Sequence, residues 1–179
     1  IEESDVGQFA HLIYDGSQYW IGYHDVANGD LKLAHGNRGS WTIETLAGVG
    51  EGIQGQWPFL YMQGSTLWIA YHDVTNQDLV LGRYEGGALA EVEIVDAGEM
   101  VGADSVIFEH GGAMRIHYFD GLNNDVKQAI DAGDSWTLST IVSDGAVGYS
   151  NNVVMHDGKM AVCSFSYTEN EFVFELIDP

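Results

Sequence analysis

Short runs of alternating apolar and polar residues, broken by glycine- and asparagine-bearing turns, occupy almost the whole chain. The stretch from residue 58 to residue 97 divides into "PFLYMQ", "TLWIAYHD", "DLVLGRYE" and "AEVEIVDA". Side chains of period two, with β-branched and aromatic residues enriched, predict strands rather than helices. The junctions "QGST" and "VTNQD" carry the glycine and asparagine that tight hairpin turns require. "LWIAY" and "FLYM" are apolar at consecutive positions, so both faces of these strands are expected to be covered.

The pattern repeats. "YHDVANGD" at residues 23–30 returns as "YHDVTNQD" at residues 71–78. Tyr23, Tyr71 and Tyr118 follow one another at intervals of 48 and 47 residues, and a further step of 47 lands on Phe165. In that register Gly16, Gly64, Gly111 and Gly158 align, as do Asn28, Asn76, Asn123 and Asn170. Asp30, Asp78 and Asp125 also align, with Phe172 in the fourth unit. Four antiparallel strands recurring every ~47 residues predict an all-β protein, a β-propeller of four four-stranded blades. The expected blades are residues 9–56, 57–103, 104–150 and 151–179, with residues 1–6 supplying the outermost strand that the fourth unit lacks. The ring then closes within one chain, or between two chains as a homodimer, or the chain completes a larger propeller as a subunit or fragment. Cys163 takes the place of Ile21, Ile69 and Ile116, which makes it a small buried hydrophobe. Trp20 with Trp68, and Trp41 with Trp136, recur as packing anchors.

The stretches "YHDVANGDLKLA" and "SWTIETL" resemble the blade repeat of bacterial β-propellers of the sialidase-like and lectin-like group. The resemblance spans essentially the whole chain. It implies a propeller with an extracellular recognition or scaffold role, and no single activity.

Composition narrows the function. Among 179 residues there are 27 Asp and Glu against six Lys and Arg, a formal charge of −21. Such a field repels phosphate backbones, which excludes nucleic acid as a partner, and it favours cations and basic proteins. No apolar run reaches the roughly 20 residues of a membrane span. The acidic balance suits an extracellular or periplasmic setting.

In a propeller the turn between the second and third strands shares a face with the connection between blades. That face gathers acidic loops that hold none of the six cations. The repeated Asp–x–x–Asn–x–Asp turn offers hard oxygen ligands of the kind Ca²⁺ takes. Asp25, Asp30, Asp73, Asp78, Asp120 and Asp125 are therefore the candidate ligand-binding residues, and Asp25, Asp30, Asp73 and Asp78 the candidate metal ligands. The same residues also suit plain turn chemistry, because Asp and Asn accept local backbone hydrogen bonds. No nucleophile elbow, zinc-protease helix or phosphate loop is present, so the reading leans away from an enzyme. The expected function is a secreted binding or scaffold module for a cation, a glycan or a basic protein. The alternative is a glycan-directed hydrolase or lyase with its site at the acidic axial mouth.

Overall fold

In the computed structural model, which describes residues 5–179, the chain forms four antiparallel sheets and no helix among those residues. The first sheet is β1 (Val6–Tyr14), β2 (Tyr19–Asp25), β3 (Asp30–Asn37) and β4 (Ser40–Ala47). The second is β5 (Gln54–Gln63), β6 (Thr66–Asp73), β7 (Asp78–Glu85) and β8 (Ala88–Asp96). The third is β9 (Val101–His110), β10 (Ala113–Asp120), β11 (Asp125–Asp131) and β12 (Trp136–Val142). The fourth has three strands, β13 (Tyr149–His156), β14 (Lys159–Ser166) and β15 (Glu171–Ile177). Within each sheet the strands follow chain order, as in the blades of a propeller. The inter-blade connections bond to the β2–β3-type turns: Gln54 N–H donates to Gly29 O, Val101 N–H to Gln77 O and Val147 N–H to Asn124 O. This places both features on one face, as expected from the sequence.

Blades stack face to face, which explains the runs that are apolar on both sides. Leu31 and Leu33 of the first blade pack on Leu60, Ile69 and Tyr71 of the second. Leu79 and Leu81 of the second pack on Ile107, Ile116 and Tyr118 of the third. Each such aliphatic side chain contributes ~1.5–3 kcal/mol on full burial. The third and fourth blades meet through Val106, Val153, Met160 and Val162.

The fourth unit carries two corrections. The third and fourth blades are offset by 46 residues, so the sequence register there is one residue out. Asp25 pairs with Asp30, Asp73 with Asp78 and Asp120 with Asp125, and their counterparts are Ser166 and Glu171. The counterpart of Tyr118 is therefore Ser164, and the counterpart of Asn123 is Glu169. Asn170 corresponds to Asn124, and both residues are left-handed, at φ 54° and 59°. A one-residue slip exchanges the two faces of a strand. Cys163 accordingly shares its register with His117 and Ala70, not Ile116, and is half-buried. The second correction concerns the N-terminal segment. Val6 pairs with Asp25, and Asp5 O accepts the Val26 N–H, so residues 5 and 6 join the first blade rather than the fourth. Residues 1–4 lie outside the described residues.

Candidate functional site at the axial mouth

The innermost strand of every blade is broken by a bulge near its start, between Gln8 and His11, Gln56 and Phe59, Ala103 and Val106, and Tyr149 and Asn152. One non-glycine residue at each break is left-handed: Phe9 (φ 56°), Trp57 (φ 49°), Asp104 (φ 49°) and Ser150 (φ 50°). Their spacing of 48, 47 and 46 residues follows the blade repeat. This conformation is unfavourable for such side chains, and it persists only where surrounding structure enforces it. A bulge also re-aims the side chain it carries. Here all four bulged residues line one axial cavity of about 470 Å³, on the face that holds the β2–β3-type turns.

The cavity is aromatic on one side and polar on the other. The Phe9 and Trp57 rings stand 4.2 Å apart at 32°. Trp57 is backed by His72, whose ring lies 6.0 Å away. His72 is anchored in turn through Nδ1 to Val101 O at 2.6 Å. Deeper in the wall His11 stacks on Phe59, and its Nδ1 accepts the Leu60 N–H at 3.0 Å. Burial lowers the pKa of His11, which keeps that acceptor nitrogen unprotonated.

Across from the rings, Asp104 Oδ2 accepts the Ser150 N–H at 2.9 Å, and the Asn151 amide donates to the Asp104 backbone carbonyl. Burial raises the Asp104 carboxyl pKa, only partly offset by the Ser150 hydrogen bond. Asn151 Oδ1 and Ser105 Oγ are buried at this wall without a hydrogen-bond partner. Buried polar atoms are rarely left so, and an unpaired one costs ~1–3 kcal/mol. A planar apolar platform facing a carboxyl, amides and hydroxyls can stack on a ring-shaped ligand and hydrogen-bond to its polar edge.

The six aspartates singled out by the sequence lie on the same face, and three of them bond inside their own turns. Asp25, Asp73 and Asp120 are buried. Each accepts the backbone N–H and the side-chain amide of the asparagine three residues later: Asn28, Asn76 and Asn123. Burial works to raise the pKa of Asp25, yet the Asn28 hydrogen bonds and the Lys32 charge outweigh it and hold it low. Asp78 and Asp125 are pushed up by burial and by the neighbouring carboxylates Asp73 and Asp120. Asp30 is buried, with Oδ1 lacking a hydrogen-bond partner. Among the described residues no three His, Cys, Asp or Glu side chains converge as a metal site.

The acidic face also has internal counter-charges that the loop inventory did not reveal. Lys32 Nζ lies 3.7 Å from Asp25, and Lys127 Nζ lies 2.5 Å from Asp96 and 4.0 Å from Asp120. Trp20 stacks on His35 and Trp136 packs against the core between the second and third blades, as anchors should. Phe9 and Trp57 were not anticipated. Their signal was an aromatic residue at the same register of the first two units, near the start of the innermost strand.

No family model matches the sequence, and no curated protein matches it. Solved structures do match in shape. A thermostable family-43 glycoside hydrolase superposes with a TM-score of 0.62 at 15% identity, over 98% of this chain and 69% of its own. An endo-1,4-beta-xylanase from Bacteroides thetaiotaomicron gives 0.63 at 14%, over 98% and 74%. The fucose-specific lectin from Aleuria aurantia gives 0.57 at 13%, over 99% and 67%. At these identities the likeness establishes the β-propeller fold. No helix among the described residues is long and apolar enough to cross a membrane.

Proposed function

We propose that the protein is a glycan-binding propeller module whose site is the axial mouth. The observation that carries this reading is the Phe9–Trp57 pair, held by two left-handed bulges opposite Asp104 and Asn151. A sugar ring presents an apolar face for stacking and a rim of hydroxyls that needs donors and acceptors, and this cavity offers both. Two of the matching structures are described as glycan hydrolases and one as a fucose-specific lectin, which agrees with a carbohydrate ligand.

Binding is favoured over hydrolysis by the carboxyl inventory. Glycoside cleavage uses two carboxyl groups, roughly 5–10 Å apart. Among the described residues lining the cavity, Asp104 is the one carboxylate. A microarray of neutral oligosaccharides, read with the parent protein and with Asp104→Asn, tests the proposal. Selective retention that weakens in the variant supports it; uniform absence of retention refutes it.

A further inference from the structure

Every blade has one face toward its predecessor and one toward its successor, and the repeat shows what each should bury. The successor-facing face of the third strand carries Leu31 in the first blade, Leu79 in the second and Val126 in the third, all 0% exposed. The equivalent residue of the fourth blade, Phe172, is 67% exposed, and Phe174 and Leu176 on the same face are exposed with it. At the other end, Leu12 holds the register of Leu60, Ile107 and Val153. Leu60 is 1% exposed and Leu12 is 57% exposed. Tyr19, at the register of the buried Leu67, Met114 and Met160, is exposed as well.

A glycine register makes the same point through the backbone. Gly7, Gly55, Gly102 and Gly148 are all left-handed, with φ between 80° and 102°. A Cβ on Gly55 would collide with Leu31 of the preceding blade. On Gly102 it would lie 2.9 Å from Leu79 Cα, and on Gly148 2.9 Å from Asp125 O. At Gly7 it would meet nothing within 4 Å. Gly7 thus has the shape of a residue lying against a preceding blade, without that blade.

We propose that the gap between the fourth and first blades receives one further antiparallel blade, which covers Phe172, Phe174 and Leu176 on one side and Leu12 and Tyr19 on the other. Continuity with the three internal interfaces carries the proposal: the two open faces are one of each kind, so any occupant must itself be apolar on both faces. A single blade fits better than a second copy of the whole arc. Side chains of the first and fourth innermost strands line one cavity of about 470 Å³, so the arc already curves tightly around its axis. An eight-bladed ring of two copies would set those strands on opposite sides of a wide channel. Charge does not oppose the docking, since alternate positions of β15 on this face are Phe172, Phe174 and Leu176, with Glu175 turned to the other side.

Two extended proteins test this, one repeating residues 87–142 after Pro179 and one repeating residues 39–96 there, so that a copy of β8 or β4 first returns the chain to the face where innermost strands begin. In the 179-residue chain, amides of β15 are expected to exchange rapidly and a hydrophobic dye to bind. In at least one extended protein, β15 exchange should slow about tenfold or more relative to a chain extended by residues 87–96 alone, because an exposed face becomes an interface. Dye fluorescence should fall in parallel. Phe174→Ser should change Tm by less than about 1 °C in the parent and by about 5 °C or more in that extended protein. Unchanged β15 exchange in both extensions overturns the proposal. So does a parent chain that sediments as a dimer and is returned to monomer by Phe174→Ser, because a second copy would then be the occupant.

Discussion

Tyr118 and Asp96 tie the second and third blades together: the Tyr118 hydroxyl donates to Asp96 Oδ2 at 2.7 Å within the apolar interface. Lys127 Nζ reaches the same oxygen at 2.5 Å. Burial acts to raise the Asp96 pKa, but these two donors outweigh it and hold the carboxylate charged. Tyr118→Phe removes one donor and leaves the ion pair, and is expected to cost about 1 kcal/mol. Asp96→Ala strands the Lys127 ammonium and the Tyr118 hydroxyl together, and should cost about 3 kcal/mol or more. Urea denaturation gives both values, and equal losses would contradict this ordering.

Stability should fall on mild acidification, through buried histidines. His117 is fully buried beside Gln128 and Phe108, and burial lowers its pKa to about 4. His11 and His72 are lowered by burial too. A folded pKa below the unfolded value of ~6.5 means that the unfolded chain takes up protons first. The histidine contribution is therefore complete above pH ~6.5 and is lost progressively as pH falls through the unfolded value toward the lowered folded ones, about 4 for His117. The raised pKa of Asp104 acts with the opposite sign at lower pH, since protonating that carboxyl favours the folded state. Tm measured from pH 7.5 to 5 should drop in the parent, and the slope should be shallower in His117→Gln.

The repeated aspartates are expected to matter for folding. Asp73 Oδ1 accepts the Asn76 N–H at 3.0 Å and Oδ2 accepts the Asn76 amide at 2.9 Å. Asp73→Ala should cost about 1–2 kcal/mol, comparable to loss of a helix cap. Calcium separates this role from ligand binding. With the carboxylates engaged in their own turns, Ca²⁺ and Mg²⁺ at equal ionic strength should shift Tm equally. A larger shift with Ca²⁺ that disappears in Asp25→Asn and Asp73→Asn would instead make the turns a cation site.

The blade architecture was legible because period-two strands and a near-constant repeat are written directly in side-chain type. The register of the fourth unit slips because the third repeat spans 46 residues rather than 47, and an aromatic residue, Phe165, happens to sit where a step of 47 falls. Glycine marks the true register, through Gly7, Gly55, Gly102 and Gly148, because backbone crowding at the blade interface admits nothing larger at three of the four positions. The axial site was less visible. Net charge draws attention to the aspartates, of which Asp25, Asp73 and Asp120 bond within their turns, whereas Phe9 and Trp57 gain their placement from bulges. A bulge leaves no trace in an alternating pattern until the strand pairing is known.

Trp57 is one of five tryptophans and the one at the axial mouth, so the fluorescence change on titration with neutral oligosaccharides, taken as the difference between the parent and Trp57→Phe, is the decisive measurement. The account predicts saturable change with at least one glycan. In Trp57→Ala, binding of that glycan measured by calorimetry should weaken by about tenfold or more, as expected for loss of a stacking contact worth ~1.4 kcal/mol, while Tm stays within about 2 °C of the parent. Glycan binding that survives Trp57→Ala at full strength would contradict it.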